Sequence, residues 1–170
     1  MEIQNQIWNC DYEYRGIIEN IFYFKRYVQM EDFIKACGNG HLEVVDRLLM
    51  ESRVDPSADD NWAIRWASEN GHLEVVDRLL RDSRVDPSDL NNHAIQLASE
   101  NGHLEIVDRL LMDPRVDPSA CGNYAIQWAS GRGHLEIVNR LLMDSRVDPS
   151  ASQKPGHQNG LYVRTFRGCG

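Results

Sequence analysis

The sequence predicts an all-α solenoid built from about four helix-turn-helix repeats. The tetrad Gly-His-Leu-Glu recurs every 31 residues, beginning at Gly40, Gly71, Gly102 and Gly133. The tetrad Val-Asp-Pro-Ser recurs at the same interval, beginning at Val54, Val85, Val116 and Val147. Self-similarity at a fixed period of about 20–50 residues is typical of stacked repeats. The residues between the two tetrads have the apolar spacing of an amphipathic helix, which makes the repeats helical.

The second helix of each unit follows the glycine tetrad. Its apolar side covers roughly 160° of a helical wheel, and in the second repeat that side consists of Leu73, Val75, Val76, Leu79 and Leu80. Glu74 and Arg78 stand four residues apart in the order that favours an ion pair along one helix. Pro87 cannot continue a helix, so we expect the chain to turn away between Asp82 and Asp86.

The first helix of each unit precedes the glycine tetrad. In the second repeat we expect it to run from Trp62 to Asn70, with Asn61 as its N-cap. Gly71 suits the left-handed conformation that ends a helix. Small and apolar side chains share one side of this helix, which allows close packing: Ala63, Ile64, Ala67 and Ser68. One such unit cannot bury its apolar face alone, but stacked copies can.

These motifs resemble the ankyrin repeat family. The pattern Ala-Ile-x-x-Ala-Ser, the Gly-His-Leu-Glu turn with its following Val or Ile, and the Leu-Leu pair match that family over about Met30 to Gln153. The family's Thr-Pro-Leu-His motif reads Trp62-Ala63-Ile64-Arg65 here, the period is 31 against a usual value of about 33, and Val-Asp-Pro-Ser replaces Asp-Val-Asn. This short variety is similar to the arrays of large DNA viruses of protists and of some protists.

The repeats divide the chain into three parts. We assign ankyrin repeats to residues 30–60, 61–91, 92–122 and 123–153, with a degenerate first helix in the first of them. Residues 1–29 are predicted to form a flanking or capping helix; alternatives are an amphipathic partner-binding helix or a segment that faintly resembles an F-box. Residues 154–170 are rich in glycine and lack acids, which predicts a flexible basic tail.

Charge and cysteine content narrow the functional classes. The formal net charge is −8, which argues against general nucleic-acid binding because that needs a basic surface. The four cysteines are scattered without a metal-binding spacing, and Cys37 is expected to be buried and inert. The first residues lack the basic and apolar regions of a secretory signal, so we expect none, and no apolar run is long enough for a membrane span. We therefore expect an intracellular protein, cytoplasmic or nuclear, that acts as a monomer without a cofactor or metal.

Two periodic sets of residues invite a chemical interpretation. The histidines of the glycine tetrad recur once per repeat, so stacking keeps them too far apart to ligate one zinc ion. We expect them to stabilise the turn by hydrogen bonds. The loop arginines and aspartates, such as Arg84 and Asp86, are expected to pair with one another in the loops. No nucleophile–base set or phosphate-binding loop stands out, so the chain is predicted not to be an enzyme.

Comparison of the repeats locates a candidate binding surface. Some columns are constant, whereas others change at the loop tip and along one side of the first helix. The resemblance implies that this side is the concave partner-binding face, and aromatic residues with arginine suit binding hot spots. The predicted partner-binding residues are Asp60, Trp62, Arg65, Trp66, Asn91, His93, Gln96, Tyr124, Gln127 and Trp128. The alternative for Trp66 and Trp128 is packing into a neighbouring repeat.

The sequence thus predicts a non-enzymatic scaffold or adaptor that binds an unidentified protein partner through the concave face and loop tips. The alternative is a substrate-recruiting subunit of a ubiquitin-ligase assembly, with residues 1–29 as the docking segment. At the other end of the array, the fourth repeat keeps the full apolar pattern of the inner ones. Since nothing after Ser150 resembles another helix, this end has three possible states: fraying, a loose cover by the tail, or pairing with another copy. We expect fraying or a loose cover, because the glycines of the tail oppose a rigid cap.

Overall fold

The computed structural model describes residues 29–50 and 54–148, and these residues form eight helices and no strand. The predicted N-terminal helix and the C-terminal tail lie outside the described residues. Helix α1 covers residues 29–38, where the description begins. It is followed by α2 (Leu42–Leu49), α3 (Ala58–Glu69), α4 (Leu73–Leu80), α5 (Asp89–Asn101), α6 (Leu104–Leu111), α7 (Ala120–Arg132) and α8 (Leu135–Leu142).

The helices form two layers, as the predicted all-α solenoid requires. The first helices α3, α5 and α7 stack on one another, and the second helices α2, α4, α6 and α8 form the other layer. The core lies between the layers and continues through every junction. In the third repeat it contains Ala94, Ile95, Ala98, Ile106, Val107 and Leu110, all buried. The helix faces read from the sequence are therefore confirmed.

The charged side chains of the second helices connect neighbouring repeats, which differs from the prediction. Arg78 donates a hydrogen bond from Nε to Asp46 of the preceding repeat, where we expected a pair with Glu74 of its own helix. Arg109 pairs in the same way with Asp77, and Arg140 pairs with Asp108. The stacking distance places the preceding aspartate within reach, so these arginines stabilise the junction.

Asn139 occupies the position in α8 that corresponds to these aspartates. Beyond α8 the described part of the chain contains no further helix that could supply an arginine. The ladder of carboxylates and guanidinium groups therefore ends with Asp108 and Arg140.

The loop arginines also pair differently from the prediction. Both Asp82 carboxylate oxygens accept hydrogen bonds from Arg84, at 2.7 and 2.9 Å, and Arg84 also donates one of 3.1 Å to the Val54 carbonyl of the preceding repeat. Asp86, the expected partner, accepts instead from the backbone N–H and hydroxyl of Ser88. The same bidentate geometry recurs in the last described loop, where Arg146 lowers the pKa of Asp144 to about 2.

The last repeat exposes the face that inner repeats cover. Val76 and Val107 are fully buried by the following repeat, whereas their equivalent Val138 is only partly buried. Leu135 and Leu142 are 72% and 44% exposed. The exposed end that we expected is present in the described residues, while fraying and a covering tail remain predictions.

Core truncation should separate the two sides of α6. Leu110→Ala should lower the free energy of unfolding by ~2–5 kcal/mol because Leu110 is fully buried in a middle repeat. Glu105→Ala, on the exposed side, should cost less than ~0.5 kcal/mol. Urea denaturation of the two variants measures the difference, and equal losses would show that the assigned faces are wrong.

A double-mutant cycle should locate the partner of Arg109. The two side chains of the junction pair are about one third exposed, so Asp77 and Arg109 should couple by ~0.3–1 kcal/mol. The matched cycle on Glu105 and Arg109 should give a coupling near zero. The opposite order of the two coupling energies would mean that Arg109 pairs within its own helix.

Candidate partner-binding surface

A left-handed turn leads into each first helix. Asp59, Asp60 and Asn61 have φ values of 53°, 56° and 56°, and the right-handed part of α3 begins only at Trp62. The same three-residue conformation recurs at residues 90–92 and 121–123. Left-handed dihedral angles cost roughly 1–2 kcal/mol for most residues and less for Asn, Asp and Gly. Seven of these nine positions carry Asn, Asp or Gly, which reduces that cost.

One polar side chain of each first helix holds this turn. Arg65 is buried and donates hydrogen bonds of 2.9 Å to the carbonyl oxygens of Asp59 and Asp60. Gln96 donates one of 2.7 Å to Asn91, and Gln127 one of 2.6 Å to Gly122. The sequence comparison predicts these three residues to bind the partner, because the residue type at their shared position changes between repeats. The structure gives them a shared role, since arginine and glutamine both supply the N–H groups that the turn needs.

The asparagine at the end of the turn connects neighbouring repeats. The predicted role as a helix N-cap is wrong, because its side chain bonds to the next repeat. Asn61 is buried, its Oδ1 accepts a 2.8 Å hydrogen bond from the Asp86 N–H, and its Nδ2 donates one of 2.8 Å to Asp89. Asn92 accepts equivalently from the Asp117 N–H at 2.7 Å. Asparagine is constant at positions 61, 92 and 123. This constancy is the sequence signal that could have revealed the role.

The two tryptophans of α3 have different environments. The Trp66 ring lies against the preceding repeat so closely that a Cβ added to Gly38 would come within 2.5 Å of it. Trp62 is 40% exposed and is held from two sides. The rings of Trp62 and Trp66 meet edge to face, with their centroids 6.4 Å apart. The Arg65 guanidinium lies over the Trp62 ring, 5.1 Å from its centroid. Packing therefore accounts for Trp66, whereas Trp62 is fixed in position and accessible.

The other selected residues lie along the same row of turns and first helices. Asp60 and Asn91 are exposed at the loop tips. His93 and Tyr124 occupy the positions that correspond to Trp62 and are partly buried, as is Trp128 at the position of Trp66. Burial lowers the pKa of His93, and the positive charge of Arg65 lowers it further. We call the set of Asp60, Trp62, Asn91, His93 and Tyr124 the first-helix face.

The charge around Trp62 is unbalanced. Burial lowers the pKa of Arg65, against the opposing effect of four nearby carboxylates, those of Asp60, Asp89, Asp59 and Glu69. Asp59 and Asp60 are exposed, and their side chains make no hydrogen bond or ion pair within residues 29–50 and 54–148. The second-repeat end of the face is therefore acidic, while residues 90–92 and 121–123 of the next two turns carry no charged side chain. Asp89, just before Leu90, accepts hydrogen bonds from the Asn61 amide and the Leu90 N–H.

The repeated histidines connect adjacent turns. His103 approaches the carbonyl oxygen of Glu69 in the preceding repeat at 3.0 Å through Nε2. Because a carbonyl oxygen only accepts, this nitrogen carries the proton. Gly71 has a φ of 82°, and a Cβ there would come within 2.7 Å of the His103 ring, so the turn needs glycine for both reasons. The expected hydrogen-bond role is confirmed for three histidines, with the contact made between repeats: His72, His103 and His134.

Cys37 is buried, as the sequence predicts, and its burial makes the thiol unreactive. It is fully enclosed, and burial raises the pKa of its thiol to about 12.

None of the helices in residues 29–50 and 54–148 has the length and apolar character needed to span a membrane.

Comparisons with known proteins identify the family. The model of ankyrin repeats (3 copies) matches residues 30–93 and 64–153, so the chain belongs to the ankyrin repeat family. A solved ankyrin repeat family protein from Legionella pneumophila is 31% identical over 67% of this chain, with a TM-score of 0.57. The match covers 36% of that protein, so it corresponds to about a third of its length. A comparison with curated proteins finds no match.

Substitutions of Arg65 should distinguish a turn-holding role from a purely surface role. Arg65→Gln should keep the free energy of unfolding within ~1 kcal/mol, because Gln96 and Gln127 already fill the equivalent positions. Arg65→Met has similar bulk but no donor, and it should cost ~1–3 kcal/mol by leaving buried carbonyls unsatisfied. Urea denaturation tests both variants. If both melt like the unmodified chain, the turn does not depend on this donor.

Proposed function

We propose that the chain is a non-enzymatic interaction module that holds a partner protein on the first-helix face and the loop tips. Ankyrin repeats generally mediate protein–protein interactions, which supports this class of function. The observation that carries the proposal is Trp62, a large side chain that the structure keeps 40% exposed while Arg65 and Trp66 fix its ring. An aromatic group already held in place loses little conformational entropy on binding, which favours affinity.

We propose that the exposed members of the predicted set contact the partner directly, and their exposure supports this. Trp62, Asp60 and Asn91 are exposed, and His93 and Tyr124 are partly so. Arg65, Gln96 and Gln127 act on the partner through the turns that they hold, because their donor groups are engaged by backbone carbonyls. Trp66 supports the ring of Trp62. We further infer that the module acts inside the cell, in the cytoplasm or nucleus, as a monomer.

The alternative role as a substrate-recruiting subunit of a ubiquitin-ligase assembly depends on residues 1–29. Of these, only Gln29 lies within the described residues, and no observation favours this role. Deletion of residues 1–29 tests it: loss of ligase components from an affinity capture, with the other partner retained, would support the alternative over the simple module.

A double substitution on the first-helix face tests the proposed function. Trp62→Ala with Tyr124→Ala should weaken capture of the partner at least tenfold, with little change in helical circular dichroism or melting midpoint. The matched control is Met112→Ala with Met143→Ala, which removes two exposed apolar side chains, 72% and 78% exposed, from the ends of second helices. Capture by the full tagged chain from its native cells, followed by quantitative mass spectrometry, provides the measurement.

Two outcomes would contradict the assignment. Unfolding of the double variant would show that Trp62 and Tyr124 belong to the core and that the face is not a binding site. Equal loss of the partner in the methionine control would place binding on the second helices.

A further inference from the structure

The first-helix face joins an accessible aromatic side chain to a concentration of negative charge. Trp62 provides the exposed apolar area, and the neighbouring positions in the next two repeats carry His93 and Tyr124. The exposed carboxylates of Asp59 and Asp60 stand at the tip immediately before Trp62. Four carboxylates act on the single guanidinium of Arg65, so this end of the face keeps an excess of negative charge.

We propose that the partner is bound as a basic segment in which an arginine or lysine stands next to an aromatic or aliphatic residue. This inference rests on the proposed function and adds the chemistry of the ligand. The cation meets Asp59 and Asp60 at the second-repeat tip, and the apolar residue packs on Trp62 and continues toward Tyr124.

The geometry of the tip favours a cation from outside. The carbonyl oxygens of Asp59 and Asp60 are bound by Arg65, which fixes the turn and with it the direction of both residues. Their carboxylates feel the charge of Arg65 but make no hydrogen bond or ion pair among the described residues. An arginine or lysine of the partner can therefore pair with them without breaking an existing hydrogen bond, and a cation near two exposed carboxylates is attracted by both.

Charge complementarity also selects against acidic partners. Net charge of the whole chain is −8, so approach of a basic segment is favoured at long range and approach of an acidic one is opposed. The contribution depends on ionic strength because the two carboxylates are exposed. Residues 90–92 and 121–123 of the adjacent turns carry no charged side chain, and Asp89 beside them already accepts hydrogen bonds from Asn61 and Leu90, so we place the cation at the second-repeat end of the face.

Selection from a displayed library of random dodecapeptides on the full chain tests this inference. The selected peptides should be enriched in arginine or lysine next to an aromatic or aliphatic residue. Their affinity should fall about tenfold for Asp59→Asn with Asp60→Asn and should become less dependent on salt. Asparagine adopts the left-handed conformation readily, so this variant keeps the turn, and its melting midpoint confirms that.

The matched control separates local from overall charge. Glu74→Gln with Glu105→Gln makes the same change in net charge at exposed positions of the second helices, and it should leave the affinity of the selected peptides within twofold. A loss equal to that of the aspartate variant would mean that only the overall charge attracts the peptides, and the site at the tip would be wrong.

The remaining outcomes distinguish the two proposals. Peptides that bind through Trp62, as shown by Trp62→Ala, but lack basic residues and ignore the aspartate variant would overturn the basic-segment inference and leave the proposed function standing. Peptides that bind independently of Trp62, Asp59 and Asp60 would overturn both the inference and the assigned face. Failure to select any peptide would count against the inference as well, because a short basic segment would then not suffice for binding.

Discussion

Burial between neighbouring repeats is the constraint on which the whole structure depends. A second helix such as α4 has eight residues, and a helix this short is marginal by itself in water. Its two apolar sides become stable only when one packs on the preceding repeat and the other on the following repeat. The polar contacts of the junction, from Arg109 to Asp77 and from His103 to the Glu69 carbonyl, then fix how far one repeat is displaced along the next.

The left-handed turn converts this scaffold into a display of loop tips. Three consecutive residues with positive φ would be unfavourable alone. A donor from Arg65 binds two carbonyls of the turn, its glutamine equivalents bind one, and Asn61 or Asn92 bonds the turn to the next repeat. The backbone of each tip is therefore bound from two directions. Its exposed side chains can differ between repeats while the path of the chain stays the same.

The sequence predicted the repeat period, the helix faces and the buried columns, because apolar spacing within one unit determines all three. It failed where a side chain could choose between its own repeat and a neighbour. In a repeat array, an arginine of a second helix can reach a carboxylate of its own repeat and another in the preceding repeat. A helical wheel represents one helix and therefore shows only the carboxylate of its own repeat. Arg78 therefore binds Asp46 of the preceding repeat, where the sequence favoured Glu74. The prediction for Arg84 failed in a different way, because Arg84 binds Asp82 of its own loop and not the expected Asp86.

The candidate site shows the same limit in a different form. The residue type differs between repeats at the position of Arg65, Gln96 and Gln127, so the sequence comparison classed this position as variable. All three side chains nevertheless donate a hydrogen bond to a carbonyl oxygen of the turn before them. The exposure of Trp62 could not be derived from the sequence, since it depends on where the left-handed turn ends and on the rings of Trp66 and the guanidinium of Arg65 around it.

The Asp–Arg ladder has a consequence for how such a gene can change in length. Every junction contact joins residues separated by a fixed interval, 32 positions for Asp77 and Arg109 and 34 for Glu69 and His103. Duplication or loss of DNA encoding one entire unit preserves these intervals, so the new neighbours meet with the same partners. A frame-preserving change that is not a whole number of units alters the interval between the arginine and the aspartate of every pair that spans it. Asn139 carries no charge, so a unit added after it would be joined without this ion pair until a single codon change restored the aspartate.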